Sequence, residues 1–80
     1  MLSDKLRNFL DPSLFHIDIY DNKIHICNYK RIISLGSSKI TIKTNDKKVS
    51  LIGREFSLNK LADKEILIIG NLESLEIKDE

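Results

Sequence analysis

Eighty residues are enough for one small domain with a modest core, at the size where folds often lean on a partner or on a second copy. Lys and Arg number 13 against 12 Asp and Glu, so the basic excess typical of a protein held to nucleic acid by phosphate contacts is missing. Cys27 is the only cysteine, which excludes an intramolecular disulfide and suits a reducing compartment. No apolar run approaches the roughly 20 residues that span a bilayer, and residues 1–10 lack the apolar stretch of a signal peptide. The expectation is a soluble cytoplasmic protein that meets a membrane only through a partner.

The chain opens on "MLSDKLRNFLDP". Leu2, Leu6, Phe9 and Leu10 recur at helical spacing, Ser3 can cap the start and Pro12 enforces the end. This predicts a short helix over residues 1–11. At two to three turns a helix is marginal alone, so it is expected to dock on the rest of the domain.

From Leu14 to residue 78 the apolar period becomes two. In "FHIDIYDNKIHI" a turn at Asp21-Asn22 places Ile19 opposite Ile24 and Ile17 opposite Ile26. The same operation works downstream. A turn at Tyr29-Lys30 sets Ile26 against Ile33 and Ile24 against Leu35. One at Ser37-Ser38 sets Leu35 against Ile40 and Ile33 against Ile42. One at Asn45-Asp46 sets Ile42 against Val49 and Ile40 against Leu51. One at Gly53-Arg54 sets Leu51 against Phe56 and Val49 against Leu58. After a loop at Leu61–Lys64, a last turn near Asn71-Leu72 sets Ile68 against Leu75 and Ile66 against Ile77. A slip of one residue would turn every apolar side chain to the other face, so agreement over successive turns carries weight.

The three glycines, Gly36, Gly53 and Gly70, stand seventeen residues apart in "ISLGSSKIT", "SLIGREFSL" and "IIGNLESL". Leu58 and Leu75 each follow their glycine by five residues, but Thr41 takes that place in the first copy. Turn glycines are therefore the preferred reading over an internal duplication.

About eight short strands with one apolar face predict a single all-β domain, with the N-terminal helix at one end or edge. The strands form an antiparallel meander curled into a small barrel or a sandwich-like roll. Ile32, Ile52, Leu67 and Ile69 point the other way and form the candidate partner surface, for another protein or for a homo-oligomer.

No residue set carries a catalytic signature. His25 and Cys27 share a strand face with Asp18, but a zinc site needs further ligands and His16 is the only other histidine. The reading is a solvated polar face, with no catalytic residues, no metal and no cofactor. No glycine-rich loop precedes a helix, and no carboxylate sits in an apolar run that would raise its pKa. The cations Lys30, Arg31, Lys39, Lys43, Lys47 and Lys48 keep an alternative open: a small nucleic-acid-binding barrel of the Sm-like or OB-like kind. Tyr20 and Tyr29 would then have to stack bases, and both lie near turns.

"IHICNYKRII", "KITIKTNDKKVSLIGREFSLNKL" and "EILIIGNLESLEI" together resemble the YabP/YqfC family of sporulation proteins. The pattern is carried in order by Ile24, Ile26, Asn28, Lys30 and Ile32, then Ile40, Ile42, Thr44, Val49, Leu51, Gly53 and Leu58. Ile66, Ile68, Gly70, Leu72, Leu75 and Ile77 close it, over roughly residues 17–78. Arg31 and Lys47 stand where the family pattern has glycine. The resemblance implies a non-enzymatic role in the mother cell, as a small interaction module at the developing spore envelope with an integral membrane partner. It brings no catalytic residues.

Overall fold

The computed structural model describes residues 13–79, and the helix expected over 1–11 lies outside the described residues. The described chain is all-β and antiparallel, as expected, but six strands replace eight. They are β1 (His16–Tyr20), β2 (Lys23–Cys27), β3 (Arg31–Leu35), β4 (Lys39–Lys43), β5 (Lys47–Ala62) and β6 (Glu65–Asp79). Their order across one open sheet is β1-β2-β6-β5-β4-β3, with β1 and β3 as edges, so the barrel alternative does not hold.

Three hairpins form as the pattern predicts. Ile19 faces Ile24 and Ile17 faces Ile26; Leu35 faces Ile40; Ile42 faces Val49 and Ile40 faces Leu51. The Leu61–Lys64 loop is also a turn, closing at Ala62 and Glu65.

Three predicted turns are corrected. β2 does not pair with β3. Asn28 takes a positive φ of 63° and its N–H donates to the Lys64 carbonyl at 2.6 Å, while the Lys30 N–H donates to the Lys43 carbonyl at 2.8 Å. The connection thus crosses from one part of the sheet to another, with Tyr29 buried between. The turns at Gly53-Arg54 and Asn71-Leu72 are absent, because β5 and β6 run through them as one long hairpin. Leu51 therefore faces Leu75 rather than Phe56, and Val49 faces Ile77 rather than Leu58. A period of two states which face a residue takes and is silent on its neighbour; both pairings match apolar with apolar. On β3 a register shift sets Ile32, not Ile33, opposite Ile42.

Gly53 and Gly70 have a different role from turn punctuation. A Cβ on Gly53 would lie 1.9 Å from the Asn71 carbonyl oxygen and 2.7 Å from Phe56 Cζ, and one on Gly70 would lie 2.7 Å from Phe56 Cδ1. The Phe56 ring thus fills the space left by two missing side chains. Hairpin tips are anchored here too. The Gly53 N–H donates to the Ser38 carbonyl of the β3–β4 turn, and the Gly70 N–H donates to the Asn22 carbonyl of the β1–β2 turn, both at 2.9 Å. Only Gly36 serves beside a turn, its N–H donating to the Lys39 carbonyl.

The glycine spacing also marks an approximate two-fold relation within the sheet. Adding seventeen to a β5 residue gives its counterpart on β6. Leu51 faces Leu75 as Ile68 faces Leu58, and Ile52 faces Ser74 as Ile69 faces Ser57. Outward from there, Ile40–Leu51 and Ile42–Val49 match Ile24–Ile68 and Ile26–Ile66. One half comprises β1, β2, the start of β6 and the end of β5. The other comprises β3, β4, the start of β5 and the end of β6.

Inner residues of both halves make one core. Ile24, Ile26, Ile66 and Ile68 come from the first half and Ile40, Ile42, Val49 and Leu51 from the second, with Phe56 and Tyr29. All eight of those aliphatics are at most 3% exposed, so the two inner faces exclude water together.

Candidate functional site

The outer faces carry the polar chemistry. On the first half, strand alternation turns His16 and Asp18 of β1, His25 and Cys27 of β2, and Glu65 of β6 to the same side. Register then brings them together: Cys27 is directly opposite His16 on one side and Glu65 on the other, and Asp18 is opposite His25.

Cys27 Sγ lies 3.4 Å from His25 Nε2 and 3.7 Å from Nδ1. His25 Nε2 bonds Glu65 Oε1, and His25 Nδ1 lies 3.6 Å from Asp18 Oδ2. His16 Nδ1–H donates to the Leu14 carbonyl at 2.9 Å, which turns Nε2 toward Asp18 Oδ2 at 3.7 Å. A recess of about 300 Å³ adjoins the cluster, bounded by His25 and Glu65 with Tyr20, Lys23, Lys60 and Leu67.

A Cys–His–carboxylate grouping invites a nucleophile reading, but the electrostatics oppose it. Burial pushes the Cys27 thiol above its usual range, and the neighbouring Glu65 and Asp18 charges push it further. A catalytic thiol needs the reverse shift. His25, Cys27 and Asp18 were visible in the sequence as a shared face. Glu65 was not, since no local pattern links residue 65 to residue 27; only the β2–β6 pairing does.

The four residues expected to form a partner surface do not make one patch. Ile32 packs against the core, because the shift on β3 turns it inward. Ile52 lies on the outer side of the second half opposite Lys39, while Leu67 and Ile69 lie on the outer side of the first, opposite His25 and Lys23. All four are half-buried.

A different apolar set is exposed. Ile19, Leu35, Leu58, Leu61, Leu75 and Ile77 all lie in solvent, from 40% exposed at Leu75 to 58% at Leu61. Each faces a fully or almost fully buried core residue across its strand pair: Ile24, Ile40, Ile68, Ile66, Leu51 and Val49 in turn. The core surface therefore extends past the edge of what the two halves cover.

The outer side of the second half is basic. Arg31, Lys43, Lys48 and Lys78 are opposite one another in a row across four strands. Among the described residues no aromatic side chain joins them: Tyr29 and Phe56 are buried in the core, Phe15 packs against it, and Tyr20 lies on the first half. Among the described residues no helix is long and apolar enough to cross a membrane. Comparison with known proteins finds no matching family model, no matching curated protein and no matching solved structure.

Proposed function

We propose that the chain is a non-enzymatic interaction module that presents the uncovered margin of its inner sheet surface to a protein partner. The observation that carries this reading is the set Ile19, Leu35, Leu58, Leu61, Leu75 and Ile77, exposed although each is paired across strands with a core residue. Fully burying an aliphatic side chain contributes roughly 1.5–3 kcal/mol, and these six, at 40–58% exposed, have about half of that each still to gain from a partner. Two open edges, β1 and β3, offer backbone groups to the same partner. The resemblance of residues 17–78 to the YabP/YqfC family supplies the setting: sporulation, in the mother-cell cytoplasm, beside an integral membrane protein of the spore envelope.

The test is co-purification from sporulating cells with wild type and with the double variant Leu58→Ser/Leu75→Ser. The wild type should bring down a membrane protein, and the variant should lose it while melting within a few degrees of wild type. Equal capture by both chains would remove the apolar margin as the binding surface.

The basic row Arg31, Lys43, Lys48 and Lys78 favours a second reading, in which the outer side of the second half binds nucleic acid. Among the described residues no stacking aromatic lies beside the row, as single-strand recognition would need. An oligonucleotide whose affinity falls steeply with salt, and falls again in Lys48→Ala/Lys78→Ala, would make this the better reading.

A further inference from the structure

We propose that His25, Cys27 and Glu65 hold one divalent transition-metal ion, zinc by donor chemistry, with Asp18 orienting the histidine. The three side chains supply ligand atoms that all lie within 4.8 Å of one another. They come from neighbouring central strands, β2 and β6, whose backbone pairing fixes the spacing. This is a firmer platform than a loop.

The ligand spacing is close to that around a small tetrahedral ion, and a turn of the His25 ring, whose Nε2 and Nδ1 lie 3.4 and 3.7 Å from the sulfur, would aim Nε2 at the ion. Bonds of about 2.3 Å to sulfur and about 2.0–2.1 Å to nitrogen, at the tetrahedral angle, set the two ligand atoms about 3.6 Å apart. Cys27 Sγ and His25 Nε2 are 3.4 Å apart. Glu65 Oε1 now contacts the same nitrogen. Its side chain is 47% exposed, so it can swing outward and let the ion in between.

With Nε2 taken by the ion, Nδ1 is left facing Asp18 Oδ2 at 3.6 Å. Drawn in to hydrogen-bond distance, Asp18 would complete the carboxylate–histidine–metal arrangement by which an outer carboxylate sets ring orientation and raises ligand basicity. Asp18 is flanked in turn by His16, whose own ring is held by the Leu14 carbonyl. Three protein ligands leave a fourth position for water or another small ligand.

The donor set selects the metal. Thiolate and imidazole suit zinc and its neighbours, whereas magnesium and calcium take oxygen ligands. The proposal is independent of the interaction surface, which lies on the opposite side of the sheet.

The experiment uses the full reduced chain, freed of metal and titrated with cobalt(II) as a spectroscopic stand-in, then with zinc(II). One equivalent should bind, with a thiolate-to-cobalt charge-transfer band that zinc abolishes by displacement. Cys27→Ser should lose the band. His25→Gln and Glu65→Gln should each bind at least tenfold more weakly. Asp18→Asn should keep the band but lose about tenfold in affinity, as removal of an outer partner does. Amide NMR spectra of the metal-free variants check that each is folded. X-ray absorption of the zinc-loaded wild type tests the site without any variant: one sulfur at about 2.3 Å among nitrogen and oxygen neighbours is expected. The proposal fails if no one-to-one complex forms, if the cobalt band survives Cys27→Ser, or if calcium or magnesium competes on equal terms with zinc.

Discussion

Cys27 faces Glu65 across β2 and β6; at the corresponding place in the other half, Lys43 faces Lys48 across β4 and β5. One step along, His25 beside Leu67 corresponds to Thr41 beside Ser50, whose hydroxyls approach to 3.5 Å. The inner sides of the same strands carry interchangeable aliphatics. Two halves with nearly one backbone plan therefore share a core and differ on their outer sides, one bearing potential metal ligands and the other a row of cations. Burial constrains the inner side to apolar residues of matching volume, because both halves must fill one cavity. Solvent leaves the outer sides open to different chemistry.

The largest effect on this comparison should come from its centre. Gly53→Ala would drive a Cβ into the Asn71 carbonyl oxygen, a backbone atom that moves only if β5 and β6 separate. The expected loss is upward of about 3 kcal/mol in denaturant unfolding. Gly70→Ala meets Phe56 and the Glu55 carbonyl at 2.7–2.9 Å at a φ of 158° that side chains rarely adopt, and should also be strongly destabilising. If Gly53→Ala unfolds like wild type, the close crossing of the two long strands is wrong.

Next come the matched core positions. Ile42→Ala and its counterpart Ile26→Ala remove fully buried side chains from opposite halves, and each should cost about 2–5 kcal/mol. Similar losses with a single unfolding transition support one shared core. Two separate transitions, or loss confined to one half by hydrogen exchange, would mean that the halves fold independently.

Glu55 tests the asymmetry between the strands. It holds a positive φ of 57° on β5, at the irregular stretch between Arg54 and Ser57, a conformation costly for a residue with a Cβ. Glu55→Gly should stabilise the protein by up to about 1 kcal/mol, the relief of strain offset in part by glycine's greater entropy loss. A decrease in melting temperature would contradict this.

The smallest effect belongs to the open end of the second half, where Lys47 Nζ donates to Asp79 Oδ1 at 2.6 Å. The corresponding place in the first half is Ala62, which cannot form the pair. The Lys47 hydrogen bond, and then its charge, hold the Asp79 carboxyl below its usual range. A lowered acid stabilises the folded state above its unfolded pKa, and the contribution disappears as pH falls through the folded value. Asp79→Asn should therefore be slightly less stable than wild type at neutral pH, with the gap closing in acid and narrowing in salt. A gap that persists unchanged below the carboxylate range would assign the effect to something other than this ion pair.

Much of the fold is legible in the sequence. Alternation from Phe15 onward specified strands, and the hairpins at Asp21-Asn22, Ser37-Ser38 and Asn45-Asp46 follow from local turns joining adjacent apolar runs. Ile24, Ile26, Ile40, Ile42, Val49, Leu51 and Phe56 were assigned to the core and are buried. Ile19, Leu35 and Leu58 were assigned there too and are exposed, because they sit on edge strands or beyond the overlap of the two halves. Ile33 was assigned inward and is exposed, since the shift on β3 exchanges it with Ile32.

What the amino-acid order determined alone is the face most residues take, since that depends on a period of two along an extended backbone and is broken only where a register shift intervenes, as at Ile32 and Ile33. Which strand lies beside which was decided by tertiary structure. Gly53 and Gly70 look like turn residues when read locally, yet they permit two long strands to cross closely around Phe56. Their seventeen-residue spacing acquires meaning only when β5 is laid against β6. The Cys27–Glu65 pairing has the same origin. Strand pairing depends on backbone hydrogen bonds that every residue but proline can make, so side-chain order constrains it weakly until packing selects one arrangement.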